Sequence, residues 1–500
     1  MLNFPKAEQL IQEEKYQQAL AELMSQPLHT LDEEGFTRLE GCLSAIPQQV
    51  RQQSPEGCFL SLSEDLRRGR LRSARQWYTQ LAVLRDQQRE GTRERAVIVQ
   101  YTCRAGIMMP QTDNAQMLLL LSILHNETVN YKLPPVTLNA TGRRPSVLRG
   151  TKDLSEWGRN YRAVANIVRS LQESVLPDGG EGAVAAAVAE LLYERNDLNA
   201  ASMEVAGALA GPDAEVIFAG YAQLARIARL DGSDSRRSGE LLTKLGELLR
   251  ERGAAYLEGN YRALCVRFDI HYGRLEPVRE WLEQEGDDSL EACCLDNVYE
   301  LMTQAKALIA LGRCREAVTL LERLLLVLRE DFRPLDTAEC LVDSAIAFEL
   351  LGSRDLAMDK LEEALLTAAP YRYVRVVADG GRAVFQLLNL LGKDSRRGQD
   401  LPASYLRGVL EAAKNYSMLF PLLYSHTLPP EKTPESAPDL TAAELQVLQL
   451  LEEGKSNNQI REQMGIKLST VKFHLTNLFE KLGASSRLEA VKLAKKLQIL

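Results

Sequence analysis

A six-residue turn recurs between apolar helical stretches of this chain, and it confines most of the sequence to helices stacked in pairs. The turn opens on Gly or Asn and puts Ala or Val at its sixth position. It reads Gly69-Arg70-Leu71-Arg72-Ser73-Ala74, Asn196-Asp197-Leu198-Asn199-Ala200-Ala201, Gly273-Arg274-Leu275-Glu276-Pro277-Val278, Gly312-Arg313-Cys314-Arg315-Glu316-Ala317 and Gly352-Ser353-Arg354-Asp355-Leu356-Ala357. The last three copies begin 39 and 40 residues apart; Asn196 and Gly273 are 77 apart, close to two periods, with Gly232 near the intermediate turn. Gly and Asn can end a helix in the left-handed region that other side chains resist, and a small residue at the sixth position lets the next helix approach closely. The intervals are rich in Ala, Leu, Glu, Arg and Gln at helical spacing, with few β-branched runs, so the body is predicted to be all-α.

With 500 residues the chain is too long for one ordinary core, which agrees with an elongated array followed by a further module. The body, residues 1–426, resembles the tetratricopeptide (TPR) class of helical repeat, with a period nearer 40 than 34. That resemblance implies a right-handed solenoid with a concave groove for an effector, either a small molecule or a protein. About residues 126–158 depart from the repeat, with Pro134, Pro135, Gly142 and Pro145 close together and Arg143, Arg144 and Arg149 in a basic stretch; this segment is predicted to be a long ordered loop packed on the solenoid.

Several function classes are excluded by what the sequence does not contain. The longest apolar run, Met117 to Leu124, is broken by Ser122 and is far short of a membrane span, and the first residues show no basic-then-apolar leader. A cytoplasmic chain is predicted. The eight cysteines form no C-x-x-C pair and the five histidines no ligand spacing, so buried thiols are expected and no metal site. Gly454-Lys455-Ser456 lacks the preceding glycine of a phosphate-binding loop, since Gln449 stands five residues before Gly454, and no nucleophile elbow is present. Neither catalysis nor a cofactor is predicted.

Four prolines between Thr427 and Asp439 forbid helix and sheet, so residues 427–439 are predicted to be an extended linker ahead of a module at 440–500. Nine Lys/Arg against six Asp/Glu from Leu440 onward give the module +3, leaving −11 for the residues before it. Thr441/Glu444, Ser456/Gln459 and Ser486/Glu489 are capping boxes, while Gly454 and Gly483 can end helices. Four short helices are predicted, with 456–464 and 469–482 joined by a turn at Gly465, the length and turn of a helix-turn-helix. At 100° per residue Val471, Leu475, Leu478 and Leu482 fall within about 40° of one line, with Phe479 beside them, which makes that stripe the core face. Ser469, Phe473, Thr476, Asn477 and Glu480 lie opposite, and Lys472 is on the flank. In a major groove Phe473 could touch a thymine methyl and Lys472 a phosphate or a guanine edge.

Leu440-Thr441, Glu444, Val447-Leu448, Gly454, Ser456-Asn457, Ile460, Ile466, Thr470-Val471-Lys472, His474, Asn477, Lys481-Leu482, Arg487 and Ala490 together resemble the DNA-binding domain of LuxR-type transcription regulators. The resemblance implies a four-helix fold whose third helix enters the major groove of double-stranded DNA. It puts Lys472, Phe473 and Thr476 at base-facing positions and Thr470 and Lys481 on the backbone, with Ser469 and Asn477 on the same polar face. The body together with this module resembles the large ATP-dependent LuxR regulators of the maltose-regulon activator class, without their nucleotide-binding domain. It follows from that resemblance that the chain is a transcription regulator whose body senses an effector and controls pairing of two terminal modules on promoter DNA, a homodimer there, with RNA polymerase as a further partner. Arg461, Gly465 and Lys467 depart from the family pattern, and Glu480 faces the groove side, where it would weaken or sharpen binding. Arg461, Lys467 and Glu480 favour a competing reading, a protein-interaction scaffold whose degenerate helix-turn-helix no longer binds DNA.

Overall fold

The computed structural model describes residues 4–25, 28–136, 138–175, 180–209, 211–230, 235–284, 297–394, 396–424 and 440–468, and then residues 470, 471, 474, 475, 478, 479, 487, 490, 491 and 494. The chain forms two compact units, Met1–Thr427 and Leu428–Leu500. Among the described residues every regular element is helical; the pairing of Arg149 with Asp153 is an isolated β-bridge. No helix among them is long and apolar enough to cross a membrane.

In the first unit many successive helices pack as neighbours, and some also pack on the helix after next, as Glu258–His271 does on Val298–Ala310. Gly180–Glu194 pairs with Leu198–Leu209, Glu258–His271 with Leu275–Gln284, Val298–Ala310 with Cys314–Glu330, and Pro334–Leu350 with Arg354–Ala368. The turns between them share one backbone device. Gly69, Asn196, Gly273, Gly312 and Gly352 have φ of 69°, 64°, 68°, 79° and 77°. The residue after each donates its N–H to a carbonyl five positions back, as in Arg313 to Leu308 at 2.8 Å and Ser353 to Phe348 at 2.9 Å, which satisfies an otherwise orphaned helix end. At the sixth position of the turn, Ala74, Ala201, Val278, Ala317 and Ala357 are each 0 % exposed, so this residue is enclosed in every copy. Gly232 lies outside the described residues.

The same turn also occurs without the residue that announces it. Glu14, Lys132 and Phe332 adopt φ of 59°, 48° and 52°, and the residue after each makes the same six-to-one bond: Lys15 to Leu10 at 2.8 Å, Leu133 to Thr128 at 3.0 Å and Arg333 to Leu328 at 3.0 Å. A left-handed β-carbon costs about 1–2 kcal/mol, which packing of the flanking helices must outweigh.

The expected loop at about 126–158 needs correction at both ends. The helix Asn114–Asn130, opened by an Asp113/Gln116 capping box, continues through residue 130, and Ser155–Gly158 is again helical. The irregular passage between them threads through the interior of the unit. Arg144, Ser146, Val147, Leu148, Lys152 and Asp153 are buried along it. The reason is its distant partners. Arg144 Nη1 donates to Asp336 Oδ2 at 2.8 Å, Arg149 bonds Glu339, the Leu335 N–H donates to Asp153 Oδ2 at 2.9 Å, and Arg333 donates to the carbonyls of Arg149 and Gly150 at 2.7 and 2.9 Å. A β-carbon on Gly150 would lie 2.1 Å from the Ala140 carbonyl oxygen, so only glycine fits where the passage crosses itself. Cys42, Cys58, Cys103, Cys314 and Cys340 are buried and Cys265 half-buried, while Cys293 and Cys294 lie outside the described residues. Burial pushes the Cys58 and Cys103 thiols up to about 12, so neither is a thiolate at neutral pH.

Candidate functional site

The terminal unit is built from capped helices closed on a small core. The Thr441 hydroxyl accepts the Glu444 N–H at 3.3 Å while the Glu444 carboxylate accepts the Thr441 N–H at 2.9 Å, opening Ala442–Glu452. Ser456 and Gln459 repeat the exchange at 3.4 and 2.8 Å to open Asn457–Met464. Gly454 and Gly465, at φ of 75° and 65°, follow the two helices. After the second turn the Lys467 carbonyl accepts from the N–H groups of Thr470 and Val471 at 3.0 and 3.1 Å, and residues 468, 470, 471, 474, 475, 478 and 479 are helical. Lys467 thus stands at the start of this third helical segment without a side-chain acceptor to cap it.

The core settles how that segment is rolled. Val471, Leu475 and Leu478 are buried against Val447, Leu448 and Ile460, with Phe479 packed at the margin, and Ala490 and Ala494 close the cluster. Burying each large side chain contributes about 1.5–3 kcal/mol, enough to hold one face of the segment inward. The Arg487 guanidinium donates to the Lys455 carbonyl at 2.9 Å and to Asn457 Oδ1, tying the end of the unit to the start of its second helix. The sequence marked Arg487 as a family position but gave it no role.

Of the seven residues predicted to meet DNA, Thr470 is described: it is half-buried and helical. Ser469, Lys472, Phe473, Thr476, Asn477 and Lys481 lie outside the described residues, as do Glu480, Leu482, Gly483 and the Ser486/Glu489 capping box. His474 is helical and half-buried. Arg461 is exposed and pairs with Glu462 at 3.0 Å, so its bulk does not intrude on the core.

A second candidate lies in the body, where a cavity of about 90 Å³ is lined by charged groups from helices far apart in sequence. Arg226 pairs with Glu194 at 2.6 Å, Arg229 with Asp379 at 3.3 Å, Arg267 with Glu339 at 2.6 Å and Lys306 with Asp343 at 2.7 Å. Burial pushes the Asp343 carboxyl up to about 6, although the Lys306 ammonium opposes it. Burial, with Arg229, Lys306 and Arg267 nearby, holds His271 well below its ordinary range, so it is neutral where Tyr416 meets its Nδ1 at 3.0 Å. Buried oxygens of Glu194 and Asp343 and the Nε of Arg375 have no hydrogen-bond partner there among the described residues, which suits a wet cavity. Sequence reasoning missed this interior because no local spacing links Arg229 to Asp379. The available signal was acidic Glu190 and Glu194 inside the Ala-rich helix Gly180–Glu194, where a solvated face has no reason to be.

Two families match the chain. The MalT-like TPR region covers residues 128–394, and the bacterial regulatory proteins of the luxR family cover residues 438–494. Similar curated proteins include the HTH-type transcriptional regulator MalT of Vibrio cholerae, 26% identical over 288 residues that make up 55% of this chain and 31% of the relative. The protein of that name from Vibrio campbellii is 26% identical over 291 residues, 55% of this chain and 31% of the relative. That from Yersinia pestis (strain Pestoides F) is 45% identical over 58 residues, 12% of this chain and 6% of the relative. The match therefore spans about a third of the length of the Vibrio relatives.

Proposed function

We propose, since the chain belongs to the family of the MalT-like TPR region and carries a luxR-family domain at residues 438–494, that it regulates transcription by binding promoter DNA through that domain. The observation that carries the reading is the inward face of the third helical segment, where Val471, Leu475 and Leu478 pack on the core. In the proposal the alternate face reads the major groove: Lys472, Phe473 and Thr476 meet base edges, Thr470 and Lys481 meet phosphates, and Ser469 and Asn477 complete the surface. A unit this small makes few phosphate contacts and binds weakly alone, so two copies act together on DNA, a homodimer positioned to meet RNA polymerase. The TPR-like body receives the effector, a small molecule or a protein, and sets whether two terminal units pair. The chain is read as a regulator without a reaction of its own.

Promoter fragments titrated with the full-length chain at low and moderate salt test this. Lys472→Ala should weaken binding to all sequences and reduce the salt slope by about one. Phe473→Ala should change preference at one base pair. If both variants bind every fragment like the parent, the groove assignment fails, and no retention by the parent even at low salt would favour the scaffold reading.

A further inference from the structure

A ligand-sized space in the body lies between its first helices and the buried passage, and four arginines, Arg67, Arg104, Arg143 and Arg144, reach its wall, the last paired with Asp336 at 2.8 Å. It holds about 550 Å³, within the roughly 300–1,000 Å³ typical of small-molecule sites. Among the described residues that line it none is Asp or Glu, although the residues before the terminal module carry an excess of negative charge. Three guanidiniums are stacked on two aromatic rings there. Arg67 lies 4.4 Å from the Phe36 centroid and Arg143 5.0 Å from the same ring, while Arg104 lies 4.5 Å over Phe59. Arg67 also has a carboxylate, Glu64, at 3.3 Å.

Arg104 differs from the others. Its Nε is buried with no hydrogen-bond partner among the described residues. Burial lowers its pKa from the ordinary arginine value, with Tyr101 opposing the shift. An uncompensated buried charge is among the most costly features a core can hold, and a ring face offsets only part of that. Leu28, Leu66, Met108 and Val136 form an apolar stretch of the wall, while Ser63, Asn139 and Thr151 add neutral polar groups. Among these arginines Arg104 is the one whose Nε meets no acceptor among the described residues, and its position beside an apolar stretch of wall suits an organic anion whose body is apolar and whose head is a planar group that a guanidinium can grip in two places.

We propose that this groove binds a small monoanionic aromatic acid, its carboxylate on Arg104 beside Arg143 and its ring along the apolar wall. The helices Pro55–Arg67 and Arg93–Met108, which supply Phe59 and Arg104, precede the family-matched stretch, whereas the passage carrying Arg143 lies inside it. The groove therefore joins shared and unshared parts of the chain. The proposal rests on the reading of the body as the part that receives an effector, and it names that effector's chemical class.

The test uses the full-length chain and the fluorescent aromatic sulfonate 1-anilinonaphthalene-8-sulfonate as probe, displaced by 4-phenylbutyrate or by its neutral alcohol, 4-phenylbutanol. Saturable binding near one probe per chain is expected, displaced by the carboxylate and at least about tenfold less well by the alcohol. Arg104→Gln should weaken probe and carboxylate by at least about tenfold without lowering the melting temperature, because it relieves an unpaired charge. Ser63→Phe, which fills the groove and leaves every cation in place, should also abolish displacement. Equal displacement by the alcohol, parent-like affinity in Arg104→Gln, or the absence of saturable binding would each overturn the proposal. Promoter binding measured on the same samples keeps the two readings apart: a groove that fails while DNA binding stands sinks only the effector class.

Discussion

Asp336 is the carboxylate that anchors the buried passage, and Asp336→Ala tests whether that anchoring holds the body together. Its oxygens accept from Arg333 Nε at 2.7 Å and Arg144 Nη1 at 2.8 Å, with Arg149 Nη1 at 3.6 Å, and the residue is 2 % exposed. Burial alone would push this carboxyl up, but Arg333, Arg144 and Arg149 outweigh it and hold the pKa below the ordinary 3.8. Removing one partner of a buried ion pair costs about 3–5 kcal/mol, chiefly because the charges left behind stay buried. With a urea dependence of roughly 3 kcal/mol per molar, the unfolding midpoint of the body should fall by about 1–1.7 M at pH 7, read by far-ultraviolet circular dichroism. Removing Arg144 as well, in Asp336→Ala/Arg144→Met, takes out one of the stranded charges and should recover a substantial part of the loss, the non-additivity that a double-mutant cycle measures. Because the folded pKa is depressed, the Asp336 contribution is present at neutral pH and is lost as pH falls through the folded value below 3.8; parent and variant should converge there. A midpoint shift under about 0.3 M at pH 7, or a double variant equal to the sum of the singles, would refute the reasoning.

Three further outcomes follow from the same geometry. Burial pushes the Glu215 carboxyl from 4.5 to about 7, so the folded state holds the extra proton between those values and stability is lost as pH rises through that window, by roughly 3 kcal/mol at about 1.4 kcal/mol per pH unit. Thermal melts should therefore find Glu215→Gln more stable than the parent at pH 8 and close to it at pH 5; a variant less stable at pH 8 would contradict this. Gly150→Ala drives a β-carbon into backbone atoms at 2.1 and 2.7 Å and should cost about 3 kcal/mol or more, seen as rapid proteolysis within residues 131–154, whereas parent-like resistance would show that the crossing can relax. Arg487→Met loses the bonds to the Lys455 carbonyl and Asn457 at an exposed position, so calorimetry should show the transition of the terminal unit destabilised by about 1 kcal/mol with the body transition unmoved.

The local grammar of the helices was legible wherever one residue's own backbone preference decides the outcome. Gly69, Asn196, Gly273, Gly312 and Gly352 take the left-handed turn because they resist it least, and Thr441 and Ser456 cap because their hydroxyls reach an orphaned N–H two or three residues away. Phe332, Lys132 and Glu14 occupy the same conformation against their preference, held by the helices on either side, and so leave no mark in the sequence. The end of the helix Asn114–Asn130 was misread for that reason: Lys132 stops it, and the prolines that drew attention come later.

By itself the sequence determined that this chain is a series of helices punctuated by glycine turns, closed by a capped module whose apolar stripe at Val471, Leu475 and Leu478 must face inward. Those features are written in separations of three to six residues, the range over which backbone geometry and helical periodicity operate. It took the assembled fold to bury the proline-rich passage, to set Arg144 and Arg149 against Asp336 and Glu339, and to lay Arg104 over Phe59. Such pairings join side chains as many as 192 positions apart, and nothing local distinguishes an arginine that will meet water from one that will be enclosed by helices not yet assembled around it.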